Sequence, residues 1–471
     1  MRLFQLVAYF GMLALCSTPM IASAAPPNVL LIVSDDQRPD TIHALGNSII
    51  ETPWLDQLAA RGTSFLNATC ANPICTPSRA EILTGCTGFR CGVMDFGKPI
   101  DPDLPTLAGW FSKNEYQTVY VGKWHNDGVP VQRGYSFTRG LYRGGGGRFA
   151  VDQTDHAGRP VTGYRGWIFQ DDDGKMFPEM GVGLTPDISR HFADAAIDVI
   201  RNSSDTPFFL HVNFTTPHDP LLLPPGWEDR YPWQKMPVPD NFLPEHPFDH
   251  GNVGGRDEVL FTTPRTPEEV QKEIAAYYAA VSYMDAQIGR ILTALKSAGK
   301  ADNTLIVFTS DHGVGLGSHG LRGKQNMYDH TIRVPLIFAG PGIPRNTQRT
   351  TLCCLRDLFA TLCDLTGTPA PKPAPDGVSL KPAITDGTRV NEFVTGYFRD
   401  FQRMIRNEQW KYIEYPQVKR KQLFHLTKDP GETVNLSGRP ELQPIETALQ
   451  HQLRTWFQQR GDTALDSGDQ R

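Results

Sequence analysis

Near-continuous apolar runs alternate along this chain with stretches whose apolar positions recur every three or four residues. Asn28 to Val33 reads NVLLIV and ends in Ser34-Asp35-Asp36. This predicts a strand buried on both faces that delivers two carboxylates at its C-terminal end. Thr52 and Pro53 then open an amphipathic helix through Leu55, Leu58 and Ala59, closed by Gly62, with Thr52 as the expected N-cap. Gln117 to Val121 predicts a strand leading into Gly122-Lys123-Trp124-His125, and Pro207 to Phe214 another leading into Thr216-Pro217-His218-Asp219. Thr266-Pro267-Glu268-Glu269 is a capping box. It opens the longest helical pattern, carried by Ile274, Tyr277, Tyr278, Val281, Met284, Ile288 and Leu292. Thr304 to Phe308 predicts a strand ending in Ser310-Asp311-His312-Gly313, and Arg333 to Ala339 one more buried strand.

This alternation predicts an α/β fold: a mostly parallel central sheet flanked by helices on both faces, from residue 25 to about 366. Polar residues cluster just past the strand ends, where open α/β sheets bind ligands. Residues 367–390, rich in Pro and Gly, read as a linker. A small C-terminal α+β subdomain is expected over 391–460, with strands at Trp410 to Tyr415 and Gln422 to His425. A final amphipathic helix runs through Ile445, Leu449, Leu453 and Trp456, and residues 461–471 read as a disordered tail. The stretch from Phe137 to Asp187 fits neither period. With Arg133, Arg139, Arg143, Arg148, Arg159 and Arg165 dense in and just before it, it reads as a long insertion at the rim of a site.

Composition adds constraints more than content. A net charge of −5 gives no global attraction to nucleic acid or anionic membrane, so an anionic substrate must be met by local basic groups. Residues 1–24 have the build of a signal peptide: Arg2, an apolar run from Leu3 to Leu15, and a small-x-small cleavage site at Ala22-Ser23-Ala24. A secreted or periplasmic mature chain with no membrane span is expected, and export permits disulfides among the remaining cysteines.

The densest motif is Cys75-Thr76-Pro77-Ser78-Arg79, followed by Leu83-Thr84-Gly85. It resembles the type I sulfatase family of the alkaline-phosphatase-like superfamily, in which Cys-x-Pro-Ser-Arg precedes Leu-Thr-Gly. The resemblance runs to the tail, through Leu423-Phe424-His425-Leu426 and Asp429-Pro430-Gly431-Glu432. It implies a sulfuric ester hydrolase whose Cys75 is converted to formylglycine by a maturation enzyme. A hydrated aldehyde offers one hydroxyl to attack sulfur and a second whose deprotonation expels sulfate, so covalent catalysis has a built-in exit.

The resemblance also implies a Ca²⁺ site, Mg²⁺ being the alternative, made by Asp35, Asp36, Cys75, Asp311 and His312. Carboxylates suit a hard cation, while the imidazole of His312, where many members carry Asn, leaves the metal's identity open. By the same resemblance Arg79, Lys123, His125, His218 and Lys324 surround the reacting sulfur and oppose its developing charge. His43, His211 and His319 read as surface or core residues, and Arg38 and Gln325 take no role. The expected substrate is a sulfated carbohydrate, with the rim arginines as a subsite. Two rivals remain: a phosphonate or phosphate ester hydrolase of the same superfamily, and a non-catalytic glycan-binding relative.

Overall fold

The protein, described here as a computed structural model over residues 25–466, has fifteen strands. In chain order they are β1 (Asn28–Ser34), β2 (Gly62–Phe65), β3 (Ala68–Thr69), β4 (Gln117–Lys123), β5 (Phe137–Gly144), β6 (Trp167–Gln170), β7 (Phe208–Asn213), β8 (Thr304–Ser310), β9 (Leu336–Ala339), β10 (Thr347–Arg349), β11 (Cys353–Cys354), β12 (Val394–Phe398), β13 (Gln402–Arg406), β14 (Trp410–Tyr415) and β15 (Arg420–His425). The expected signal peptide lies outside the described residues. No helix among those described is long and apolar enough to cross a membrane.

Nine strands form the central sheet in the order β10-β2-β9-β8-β1-β7-β4-β5-β6. β1 lies at its middle, parallel to β8 on one side and β7 on the other. Only β9 and β6 run against their neighbours, so the sheet is mostly parallel, as the alternation predicts. β1 shows why its run is unbroken. Val29, Leu31 and Val33 enter one core and Leu30 and Ile32 the other, all fully buried. The helices Pro53–Ala60, Ile188–Asn202 and Pro267–Ser297 contribute to the second of these cores; Cys75–Thr84, Leu107–Lys113 and Asp357–Thr366 contribute to the first.

Several local expectations give way to tertiary contacts. The Arg333–Ala339 run yields only β9, and it is antiparallel to β8 and β2. Phe137–Asp187 is not wholly irregular: β5 and β6 extend the sheet at its edge. Thr52 does not cap its helix, because its hydroxyl accepts from the His43 amide at 2.9 Å. Asp285 of the long helix takes the orphan donors instead, accepting from Leu55 at 2.7 Å and Trp54 at 3.1 Å. Thr266 does cap, accepting from the Glu269 amide at 3.2 Å, while the Glu269 carboxylate turns to Thr262.

Residues 367–390 do not hang as a linker. Leu380, Ala383 and Ile384 are fully buried in the first core. β12 to β15 form an antiparallel sheet in sequential order. One face, with Tyr397, Ile405, Tyr412 and Leu423, packs on Leu449, Leu453 and Phe457 of the last helix. The other, with Phe398, Met404 and Ile413, packs on Ile74, Leu321, Met327 and Ile332. Burying each such side chain contributes about 1.5–3 kcal/mol, so this face fixes the segments on either side of Cys75 and Lys324. Residues 461–466 are packed as well: Leu465 is buried, and Asp462 accepts from Arg403 at 2.6 and 2.9 Å.

Candidate active site

The carboxyl ends of β1, β4, β7 and β8 converge on the N-terminus of the helix Cys75–Thr84. Asp35 and Asp36 leave β1, and Asp36 is left-handed at φ 64°, a rare conformation for a residue with a Cβ. Asp311 and His312 leave β8. Asp311 Oδ1 accepts from the amides of Asp36 at 3.2 Å and His312 at 2.9 Å, stitching the two strand ends together. Lys123 ends β4 behind Gly122, whose φ of 94° and position against β7 admit no side chain: a Cβ there would lie 2.0 Å from the Asn213 carbonyl oxygen.

Cys75 sits at the centre, fully buried beneath a cavity of about 450 Å³. Its Sγ lies 3.6 Å from Asp35 Oδ1, and Lys324 Nζ donates to it at 3.3 Å. Lys324 also donates to Asp36 at 2.7 Å, and Lys123 to Asp35. Arg79 donates through Nε to Asp311 at 3.0 Å and through Nη1 to Asn213 at 2.6 Å. Burial alone would raise the Cys75 thiol, yet Lys123 and Lys324 outweigh it and hold the thiol well below its ordinary value. The same field favours negative charge on any atom in that position.

His125 and His218 are differently set. Burial pushes His125 down to about 4, so the ring beside Cys75 is neutral at physiological pH. His218 Nδ1 donates to the Asp219 carbonyl at 2.6 Å, which turns Nε2 toward Asp36, 3.8 Å away, and the cavity. Burial would lower His218, but Asp36 and Asp219 raise it.

Two sets of donors lie close enough to share one cation, each set's ligand atoms all within 4.8 Å: Asp35, Cys75, Asp311 and His312, and Asp35, Asp36, Cys75 and His218. His312 Nε2 is buried without a hydrogen-bond partner. A carboxylate-rich donor set with an orphaned imidazole nitrogen fits a divalent cation.

Every expected site residue is therefore found in one cluster. Of the six arginines from 133 to 165, none lines this cavity. Arg159 is spent on Asp155 and Glu273, Arg165 on Asp152, and Arg139 lies 3.5 Å from Asp198. The rim segment instead gives Tyr164, whose hydroxyl donates to Asp35 at 2.8 Å, and Trp167. Arg256, Asp257, Gln325 and Arg399 also line the wall. Asn213 was findable by the rule that finds Asp35, since it ends an apolar strand. Tyr164, Arg256 and Arg399 sit in loops with no periodic signal. His43 is exposed, and His211 is buried among Tyr120 and Tyr135. Arg38 clamps the carbonyls of Val314 and Gly315.

Comparison with known proteins bears on the chain as a whole. The family model for sulfatases matches residues 27–368, most of the chain. The chain belongs to the sulfatase family. This sulfatase also matches, over residues 317–459, a model described as N-sulphoglucosamine sulphohydrolase, C-terminal. It is 30% identical over 442 residues to an arylsulfatase of Clostridium perfringens, covering 88% of this chain and 91% of that one. Its fold is shared with a protein solved in complex with its substrate D-glucosamine-2-N,6-O-disulfate (TM-score 0.74, 23% identity, 95% of this chain and 100% of the other). It is shared equally with the phosphonate monoester hydrolase of Agrobacterium radiobacter (TM-score 0.76, 23% identity, 93% and 97%). The protein is thus an enzyme that hydrolyses sulfate esters.

Proposed function

We propose that this sulfatase removes sulfate from a sulfated carbohydrate outside the cytoplasm, using Cys75 in its formylglycine form and a divalent cation, Ca²⁺ before Mg²⁺. The observation that carries the reading is the position of Cys75 between two lysines, at the floor of a cavity walled by Trp167, Tyr164 and polar side chains. Aromatic walls with a few placed polar groups suit a sugar ring above a sulfate. The arylsulfatase relative supports sulfate ester hydrolysis, and the neighbour solved with a glucosamine disulfate supports a sugar as the group that carries the sulfate.

The hydrated aldehyde supplies the nucleophilic hydroxyl, and a cation held by Asp35, Asp36, Asp311, His312 and the residue-75 side chain supplies positive charge for the sulfate oxygens. The remaining steps belong to the chain. Arg79 holds Asp311 and Asn213 in place and, with Lys123, balances the carboxylates. Lys324 stands over residue 75, placed to meet charge as it spreads onto sulfate. His218, its tautomer fixed by the Asp219 carbonyl, presents Nε2 to protonate the leaving sugar oxygen. His125, neutral beside residue 75, accepts a hydroxyl proton.

The test is a panel of sulfated mono- and oligosaccharides against aryl sulfate and aryl phosphonate, with the Cys75 peptide weighed in the same preparation. The reading expects the peptide to be lighter by the difference between CH₂SH and CHO, activity lost to chelator and restored by Ca²⁺, and a sulfated sugar preferred. An active enzyme with an intact thiol would sink the mechanism. Preference for the phosphonate would sink the substrate class.

A further inference from the structure

The C-terminal sheet does more than brace the catalytic domain, because its first hairpin reaches the mouth of the cavity. Arg399, in the turn between β12 and β13, lines the same cavity as Cys75. Its backbone is left-handed at φ 41°, which a side chain disfavours, and the surroundings hold it there. Arg403, buried and pinned by Asp462, donates to the Arg399 carbonyl. Gln402, fully buried, donates through Nε2 to the carbonyls of Gln325 and His250, each at 2.8 Å. Phe401 packs so tightly on Gly251 that a Cβ there would meet its ring at 2.3 Å. The turn is thus clamped to the segment that carries Lys324 and cannot drift from the site.

The Arg399 side chain is 42% exposed. Its Nε and Nη2 donate to Asp95 at 2.7 and 3.3 Å, while Nη1 has no hydrogen-bond partner among the described residues. Beside Asp95 stands Phe96, 45% exposed, its ring centre 5.6 Å from that of His125. An exposed aromatic face next to a guanidinium with one unspent edge is a surface for a sugar that carries a second negative group.

We propose that Arg399, oriented by Asp95, is an anion subsite at the cavity mouth. It selects sulfated sugars bearing a carboxylate or a second sulfate on the ring held by Phe96. The inference rests on the carbohydrate reading and deepens it. Charge-assisted hydrogen bonds from a planar guanidinium grip such groups with two parallel N–H donors, and Arg399 offers its free edge while Asp95 holds the other.

Competition against aryl sulfate turnover tests this without requiring that any sulfated sugar be turned over. The probes are glucuronate and glucose, which differ in one carboxylate. In the wild type glucuronate should compete about fivefold more strongly, the upper end for an ion pair at a half-exposed site. Arg399→Ala should bring the ratio near one. Asp95→Asn, which frees the guanidinium, should raise it. Melting curves of both variants check that the turn survives. A wild-type ratio near one, a ratio unchanged by Arg399→Ala, or a fall in both variants overturns the subsite. If the carbohydrate reading itself is wrong, the signature is different: no sulfated sugar is turned over better than the aryl ester, whatever the competition ratio.

Discussion

Two of the buried charge clusters among the described residues make an instructive pair, and the proposed function assigns chemistry to only one of them. At the strand ends Asp35, Asp36 and Asp311 face Lys123, Lys324 and Arg79. Behind the C-terminal sheet Asp329 and Glu432 face Lys411, Arg406 and Arg333. Burial does not separate the two, for Lys411 and Lys123 are both wholly inaccessible. Concavity does not separate them either, since a cavity of about 330 Å³ borders Asp329 and Glu432. The difference is where the polar atoms point. In the second cluster they close on one another and on the backbone: Lys411 donates to Asp329 and to the Met327 carbonyl, the latter at 3.1 Å, and Glu432 accepts from the Asp329 amide at 2.6 Å. In the first, Asp35 and Lys324 close on the Cys75 sulfur, and the donor sets that fit a cation are there, not in the second cluster, among the described residues. Buried charge is weak support for stability and no marker of catalysis; convergence on a single reactive atom is the marker.

The sharpest way to break this contrast is to remove the convergence point. Cys75→Ala should reduce turnover to background while the melting temperature stays within a degree or two, since the change in buried volume is small. A variant that loses its fold along with its activity would make the first cluster structural too. Lys411→Ala should do the reverse. It leaves Asp329 and Glu432 buried without their shared cation, a loss of about 3–5 kcal/mol of stability. The fraction that remains folded should keep wild-type specific activity. Full stability with lost turnover would reverse the assignment of the two clusters.

Lys123→Ala and Lys324→Ala probe the first cluster more finely. Each removes one placed charge and should lower kcat by about 10²–10³, the scale for one preorganised donor. Lys411→Ala is the control, and a comparable fall in its kcat would erase the distinction.

How far the sequence foretold this differs between the clusters for a physical reason. Asp35, Asp311 and Lys123 each end an apolar run, and a parallel sheet gathers its carboxyl ends on one edge, so their meeting is legible. Asp329, Lys411 and Glu432 come from a short helix, the start of β14 and a loop. No periodicity links them, and their meeting follows from the docking of one sheet face that no local pattern encodes. The same reason explains Arg399, Tyr164 and Arg256 at the cavity wall. The rim arginines fail in the opposite way: their number drew attention, but Arg159 and Arg165 are satisfied by nearby carboxylates. Likewise Asp285, not Thr52, caps the Pro53 helix, because a carboxylate from another helix outcompetes the local hydroxyl.

The smallest expected effect concerns the second cluster through its histidines. His246, His250 and His319 lie together, His246 donating to the His319 carbonyl at 2.8 Å and His319 to the Glu432 carbonyl at 3.0 Å. Burial lowers all three, aided by Arg265 and Arg420 at His246, by His246 and Arg265 at His250, and by His246, Lys411 and Arg38 at His319; Asp249 pulls His246 the other way. They fall to about 4, about 3 and about 4, against an ordinary value of 6.5. The unfolded chain therefore takes up protons that the folded one refuses. Well above pH 6.5 neither state is protonated and these histidines leave stability untouched. As pH falls from 6.5 toward the folded values, the unfolded state gains and stability is lost. Between pH 6.5 and 5.0 one such histidine contributes about 2 kcal/mol to that loss. Denaturant melts of wild type and His246→Asn at pH 7.5, 6.5 and 5.0 should diverge little over the first step and clearly over the second. His246→Asn keeps a donor for the His319 carbonyl but cannot be protonated, so it should lessen the fall by about 2 kcal/mol. If wild type and His246→Asn lose stability in parallel, the acid sensitivity lies elsewhere. If that slope instead tracks Cys75→Ala, it belongs to the reaction centre, and the two clusters are not the separable units their geometry implies.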